Sequence, residues 1–173
     1  MIEVVPAQSG EALEHVIALS RTYVAWMADE IRMRYPDLDI GEFAAEHDYD
    51  DVRRKFPGEH TPSRGGCLLL ARSGEEVCGC VALGRLTEAI GEMRTLYVRP
   101  PFRGAGIGRR LAEASLDEAR KFGYRYVRLD TLDFMESALG LYRSLGFYNI
   151  APYRELSTSL RRHICFLERD LAG

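Results

Sequence analysis

Three glycines alternate in the run Arg103-Gly104-Ala105-Gly106-Ile107-Gly108-Arg109-Arg110. A β-rich segment ending at Val98 precedes it, Arg99-Pro100-Pro101-Phe102 breaks that segment, and Ile107, Leu111, Ser115, Ala119 and Phe122 then recur at helical spacing up to Gly123 as C-cap. The pattern is a strand, a glycine loop and a helix. At a helix mouth, glycines remove side chains where backbone N–H groups and the positive end of the helix dipole can meet an anion. The chemistry implied is phosphate binding, flanked by Arg103, Arg109 and Arg110. A nucleotide-hydrolysing loop would need Gly-Lys followed by Ser or Thr where Arg109-Arg110 stands. A dinucleotide fingerprint counted from Gly104 would need its last glycine at Arg109, with Asp130 as the ribose acid, so that reading stays a runner-up.

Other reactive side chains give weaker patterns. His15, His47, His60 and His163 are scattered and show no zinc-binding spacing, so no metal is expected. Cys67, Cys78, Cys80 and Cys165 are too few and too irregular for a secreted disulfide framework. Cys78-Gly79-Cys80 lies in an apolar run, where both thiols are expected on one strand face as small buried hydrophobes.

The elements that must position the loop follow from periodicity. Ile2 to Val5 reads as a strand stopped by Pro6. From Ser9 as N-cap, Leu13, Val16, Ile17, Ser20, Val24, Met27 and Ile31 mark a helix ending before Pro36. Asp37 to Asp51 is acidic, and a short helix is expected to run on to Pro57-Gly58. Cys67 to Arg72 and Val77 to Arg85 read as a hairpin around Ser73-Gly74-Glu75-Glu76, with Glu92 to Val98 as the next antiparallel strand. Tyr126 to Thr131 is a further strand, which makes the 107–123 helix a βαβ crossover and its flanking strands parallel neighbours. Ala138, Leu141, Tyr142 and Leu145 mark a helix closed by Gly146, and Phe147 to Tyr153 with His163 to Leu171 read as a final antiparallel pair.

At 173 residues the chain can bury one sizeable core, since a domain of this size hides about 70% of its unfolded surface. Residues 1–173 are therefore expected to form one α/β (α+β) domain. Hydrophobic residues at 46% and charged residues at 28% exclude a disordered or fibrous chain. Twenty-three Lys plus Arg against 26 Asp plus Glu give a net charge of −3, so neither nucleic acid nor an anionic membrane is an expected partner. The start, Met1 to Pro6, lacks the basic and apolar blocks of a leader, and no apolar stretch approaches a membrane span; a cytoplasmic location is expected.

Leu96-Tyr97-Val98-Arg99-Pro100 followed by Phe102-Arg103-Gly104-Ala105-Gly106-Ile107-Gly108-Arg109-Arg110-Leu111 resembles the acetyl-CoA motif of the GNAT superfamily of N-acetyltransferases. A second match, Ala138-Leu139-Gly140-Leu141-Tyr142-Arg143-Ser144-Leu145-Gly146-Phe147, is similar to that family's later helix ending in Leu-Gly-Phe. The resemblance covers about Glu92 to Phe147. It implies a mixed, mostly antiparallel sheet with a central splayed parallel pair, flanked by about four helices. It also implies an acetyl-CoA-dependent transfer to a primary amine of a small molecule or peptide, by direct attack in a ternary complex.

By the same resemblance, backbone groups of Leu96, Tyr97 and Val98 would pair with the pantetheine arm. N–H groups across Gly104, Ala105, Gly106, Ile107, Gly108 and Arg109, next to Arg103, would hold the pyrophosphate. An N–H near Leu96 or Tyr97 would also serve the acyl oxygen. Glu92 matches a position of the base, Asp130 a second such position, and Tyr142 the tyrosine that protonates the leaving thiolate. Met135 stands where many relatives carry an asparagine, which resembles a subset of uncharacterised bacterial members. An acyl-CoA-binding sensor with little transferase activity is the alternative, and a homodimer is compatible with the family. The region 23–64 would shape the acceptor side, where the acidic run would favour polyamines or basic peptides, with amino acids, antibiotics and protein termini left open, while Tyr23 and Trp26 read as core.

Overall fold

The strands are β1 (Ile2–Pro6), β2 (Cys67–Ser73), β3 (Glu76–Arg85), β4 (Ile90–Val98), β5 (Tyr126–Leu132), β6 (Tyr148–Asn149) and β7 (Ile164–Asp170). The helices are α1 (Gly10–Arg34), α2 (Ile107–Lys121), α3 (Glu136–Ser144) and α4 (Thr158–Arg161). These come from a computed structural model that describes residues 1–7, 10–38, 41 and 60–172. Ser9, His47, the acidic residues from Asp39 to Asp51 and the short helix expected before Pro57 lie outside the described residues. Among the described residues, the strands form one sheet in the order β1-β2-β3-β4-β5-β7-β6.

Helices cover both faces of the sheet, which is why β2 and β3 are apolar almost throughout. On one face Met93, Val127 and Leu129 pack with Leu111, Leu116 and Leu139 of α2 and α3. On the other, α1 lays down Val16, Ile17 and Leu19 against Leu68, Leu70 and Tyr97. Its later turns carry Val24, Met27 and Ile31 against Leu132. The α1 contacts recur every three or four residues because 3.6 residues make a turn. No described helix is long and apolar enough to cross a membrane.

The parallel pairing of β4 with β5 holds for only three residues, Ile90↔Tyr126, Gly91↔Val127 and Glu92↔Arg128. Beyond Glu92 the strands separate. β5 continues against β7 as far as Leu132, while β4 continues against β3 as far as Val98. A bulge accompanies the separation: Cys80 faces Tyr97 and Ala82 faces Arg94, so Thr95 and Leu96 together oppose Val81. Thr95 has φ 52, the one positive φ at a non-glycine among the described residues. A β-branched residue there is costly, and it marks where the strand is re-aimed.

Two expectations need correction. A second bulge, between Ala71↔Gly79 and Arg72↔Val77, inserts Cys78 and sends it to the α2 face while Cys80 faces α1. The two thiols therefore lie on opposite faces, although both are buried. The strand expected over Phe147 to Tyr153 reduces to Tyr148–Asn149. Pro152 has no N–H to continue a ladder, and the chain instead crosses the open end of the β4/β5 gap before the short α4 and β7.

Candidate active site

A cleft of about 870 Å³ opens at the separation of β4 and β5, within the size range of small-molecule sites, roughly 300–1,000 Å³. Leu96, Tyr97 and Val98 form one wall, and Arg103, Gly104, Gly106, Ile107, Gly108 and Arg109 form the next. Of the residues expected to hold the coenzyme, only Ala105 is not in the lining. Met135 to Ala138 at the start of α3 close the opposite side.

The loop glycines are required by backbone conformation. Gly104 has φ 81 and Gly106 φ 75, and a Cβ at either would meet nothing within 4 Å. Gly106 is the N-cap of α2 and supplies no side-chain acceptor, and no acid occupies the first turn. The leading N–H groups of a 15-residue helix are thus left facing the cleft, with the positive end of its dipole behind them. The arginines divide their work. Arg103 donates from Nε to the Val98 carbonyl at 3.0 Å, and its guanidinium lies over the rings of Trp26 (5.4 Å) and Tyr97 (5.8 Å). Arg109 bridges to Ser144 Oγ on α3 at 2.7 Å. Arg110 turns away and donates to the Ile2 carbonyl at 3.2 Å, so it does not flank the cradle as expected.

Glu92 is 4% exposed and its two oxygens have separate donors. The Arg94 guanidinium donates to Oε2, and the Tyr153 hydroxyl donates to Oε1 at 2.8 Å. Tyr153 is itself held by the ring of Phe166, 5.3 Å away, and lies under the Arg128 guanidinium. The next residue, Arg154, donates to Asp130 Oδ2 at 2.7 Å. One segment therefore clasps both candidate bases with consecutive side chains.

Three tyrosines feel the charge of Asp130. Burial pushes the hydroxyls of Tyr23, Tyr142 and Tyr153 above the ordinary tyrosine range, and the Asp130 charge pushes each further. Tyr142 is also raised by the charge of Tyr23, and Tyr153 by that of Glu92. All three stay protonated and keep an O–H to donate. Tyr142 packs in the core at 5.7 Å from the Phe147 ring and does not line the cleft, whereas Tyr23 does.

The sequence does not point to Tyr153, Arg154, Tyr23 or Trp26 as site residues. Pro152 is the available signal for the first two, since it argues against a continuing strand. For Tyr23 and Trp26 helical spacing alone offers none, because a cleft-lining stripe and a core stripe have the same period.

A family model described as acetyltransferase (GNAT) family matches residues 24–147. The chain belongs to the GNAT acetyltransferase family. This GNAT acetyltransferase is 39% identical over 146 residues to an uncharacterized N-acetyltransferase of Schizosaccharomyces pombe, covering 79% of this chain and 86% of that one. It is 40% identical over 87 residues to an IAA acetyltransferase of Azospirillum brasilense, covering 50% of this chain and 57% of that protein's length. Similar chains thus occur in a fungus as well as in bacteria. An acetyltransferase structure from Streptococcus agalactiae superposes with a TM-score of 0.71 at 18% identity, covering 98% of both chains. A Bacillus subtilis acetyltransferase in complex with CoA superposes with a TM-score of 0.64 at 16% identity, covering 98% of this chain and 99% of that one. At these identities the likeness is one of fold.

Proposed function

We propose that this GNAT acetyltransferase transfers an acetyl group from acetyl-CoA to a primary amine by direct attack in a ternary complex. The observation that carries the reading is the meeting, in one cleft, of the unpaired end of β4 with the uncapped start of α2. The open strand edge suits an extended ligand that adds itself to the sheet, and the helix start suits its phosphates. Leu96 to Val98 would hold the pantetheine arm, with the Val98 carbonyl already accepting one bond from Arg103. N–H groups from Gly104 to Arg109 would hold the pyrophosphate. The coenzyme supplies the activated acyl group, and the side chains and main chain around the cleft do the rest.

An N–H at Leu96 or Tyr97 donates to the acyl oxygen as charge develops there. An alkyl ammonium with pKa near ~10.4 is only about one part in 10³ to 10⁴ deprotonated at pH 7, so a base is needed. Glu92 takes the amine proton through a water, steadied by Tyr153 and Arg94, with Asp130 as the second carboxylate in reach. Tyr142 and Tyr23 are protonated at rest; one hydroxyl proton passes to the leaving sulfur, with Tyr23 on the cleft side, and solvent water returns a proton to the tyrosine. The free state of all four cysteines supports a cytoplasmic location.

Parallel calorimetric titration with acetyl-CoA, free CoA and NADH tests the reading. Micromolar acetyl-CoA binding, about −8 kcal/mol, without an NADH response is expected. CoA-thiol release across an amine panel then distinguishes an enzyme from an acyl-CoA sensor. Absence of acetyl-CoA binding would sink the proposal.

A further inference from the structure

A second cavity, of about 500 Å³, is lined by Glu92, which does not line the first cleft, and lies where Gly84 and Arg85 of β3 face the start of β4. Its wall holds Glu92 and Arg94 together with Arg64, Arg85, Ser63 and His60. Arg94 is paired with Glu92. Arg64 and Arg85 have no carboxylate partner among the described residues, so two guanidinium charges share the cavity with the Glu92–Arg94 pair. Their proximity is built in by the turn. Pro62 to Arg64 form a tight 3-10 turn closed by Gly65 at φ 76, and Arg85 packs its guanidinium onto Gly65. A Cβ at Gly65 would stand 2.9 Å from Arg85 Nη2 and 2.5 Å from the Tyr124 hydroxyl. Any side chain at residue 65 would thus displace Arg85 from beside Arg64.

We propose that this cavity takes the acceptor, and that the acceptor is a primary amine carrying an oxyanion, a carboxylate or a phosphate. The inference rests on the acetyl-transfer reading above. Guanidinium forks match the oxygens of such groups, and binding one relieves the repulsion between two like charges. The amine end would then lie on the Glu92 side, three residues or roughly 10 Å of strand before the bulge at Thr95. A polyamine would face three guanidinium groups and one carboxylate already paired. The direction is opposite to the one that the acidic run suggests.

The test compares amines that differ only in the anion: phenylalanine with phenethylamine, lysine with cadaverine, and phosphoethanolamine with ethanolamine. CoA-thiol release is measured on the full chain, with Arg64→Gln and Arg85→Gln beside the parent. Each variant is checked for unchanged thermal unfolding and acetyl-CoA affinity. The anionic member of at least one pair is expected to have a kcat/KM about tenfold or more above its partner, and the pair showing this separates carboxylate from phosphate. Each substitution should raise KM for that member about tenfold and leave the neutral partner unchanged. Equal or better turnover of the neutral amines, or an equal loss for both members in the variants, would overturn the inference. So would acetylation of no anionic amine by a protein that binds acetyl-CoA. Failure to bind acetyl-CoA would instead remove the transfer reading, and this inference with it.

Discussion

The two ends of the site are made of different material. On the proposed coenzyme side, the end of β4 and the start of α2 offer main-chain groups, set by an interrupted strand pair and two glycines at positive φ. On the proposed amine side, Glu92 and Asp130 are held by Tyr153 and Arg154, which stand 61 and 24 residues away in the chain. The first is a property of a short continuous segment, whereas the second exists only when distant segments meet. A backbone-made site is therefore sensitive to backbone conformation and tolerant of side-chain identity. A side-chain-made site has the opposite sensitivities.

The sharpest way to break that comparison is at Gly106. Valine there must adopt φ near 75, a conformation that costs a β-branched residue of order 1–3 kcal/mol or else turns the N–H groups away. Calorimetry on Gly106→Val should show acetyl-CoA affinity falling a hundredfold or more, while Arg110→Gln, whose side chain points to Ile2, should bind as the parent does. A similar fall in Arg110→Gln would mean that side-chain charge, not main chain, makes the cradle.

Glu92→Gln ranks next, with kcat for amine acetylation lowered about 10² to 10³-fold and acetyl-CoA affinity unchanged in the same titration. A loss of affinity instead would move Glu92 to the coenzyme side of the comparison.

Tyr153→Phe removes one donor from Glu92 and keeps the ring packed on Phe166. A fall in kcat of about tenfold with intact thermal stability would mark it as a positioning residue. An unchanged kcat would leave it a packing residue.

Smaller effects are expected at the hydroxyls near the leaving sulfur, because a thiol with pKa near ~8.5 leaves without much help. Tyr142→Phe and Tyr23→Phe should each lower kcat a few-fold, about 2- to 5-fold. If the two hydroxyls pass one proton, the double variant should match the worse single one, and multiplied losses would show that they act apart.

The smallest effect concerns thiols remote from both ends. Burial pushes Cys67 and Cys80 from 9.0 up to about 12. A raised pKa means that the folded state keeps protons the unfolded chain has lost, so this stabilisation is complete below pH 9 and declines between about 9 and 12. Native protein at pH 8 should resist alkylation at both positions by mass spectrometry, and chemical denaturation should show stability falling as pH rises through that window. Rapid labelling of either would contradict its burial.

Much of the fold is legible along the chain. The glycine loop, the hairpin, the βαβ unit and the α1 stripe all have short-range signals, periodicity and turn residues, and the structure reproduces their boundaries to within a few residues. Glu92, Asp130 and Tyr142 are reached through the resemblance of their surroundings; Glu92 stands at the last β4/β5 pair, Asp130 on β5 beyond it and Tyr142 in the core, and none of the three lines the larger cleft. Over Phe147 to Tyr153 the apolar alternation outweighs Pro152 and predicts too long a strand. The faces of Cys78 and Cys80 escape the pattern because a bulge breaks the period of two.

The sequence by itself determined most of the order of elements, the loop that presents main-chain N–H groups, and the family, since each rests on local spacing, turn residues and short motifs read along the chain. Only the tertiary structure decided where β4 and β5 part, which donors hold Glu92 and Asp130, that Tyr23 rather than Tyr142 reaches the cleft, and that Arg64 and Arg85 share a cavity. Those depend on register and on which side chains meet across the sheet, and neither has a local signature. A bulge of one residue re-aims a strand, and a glycine lacking one methyl group lets a guanidinium settle where no pattern would place it.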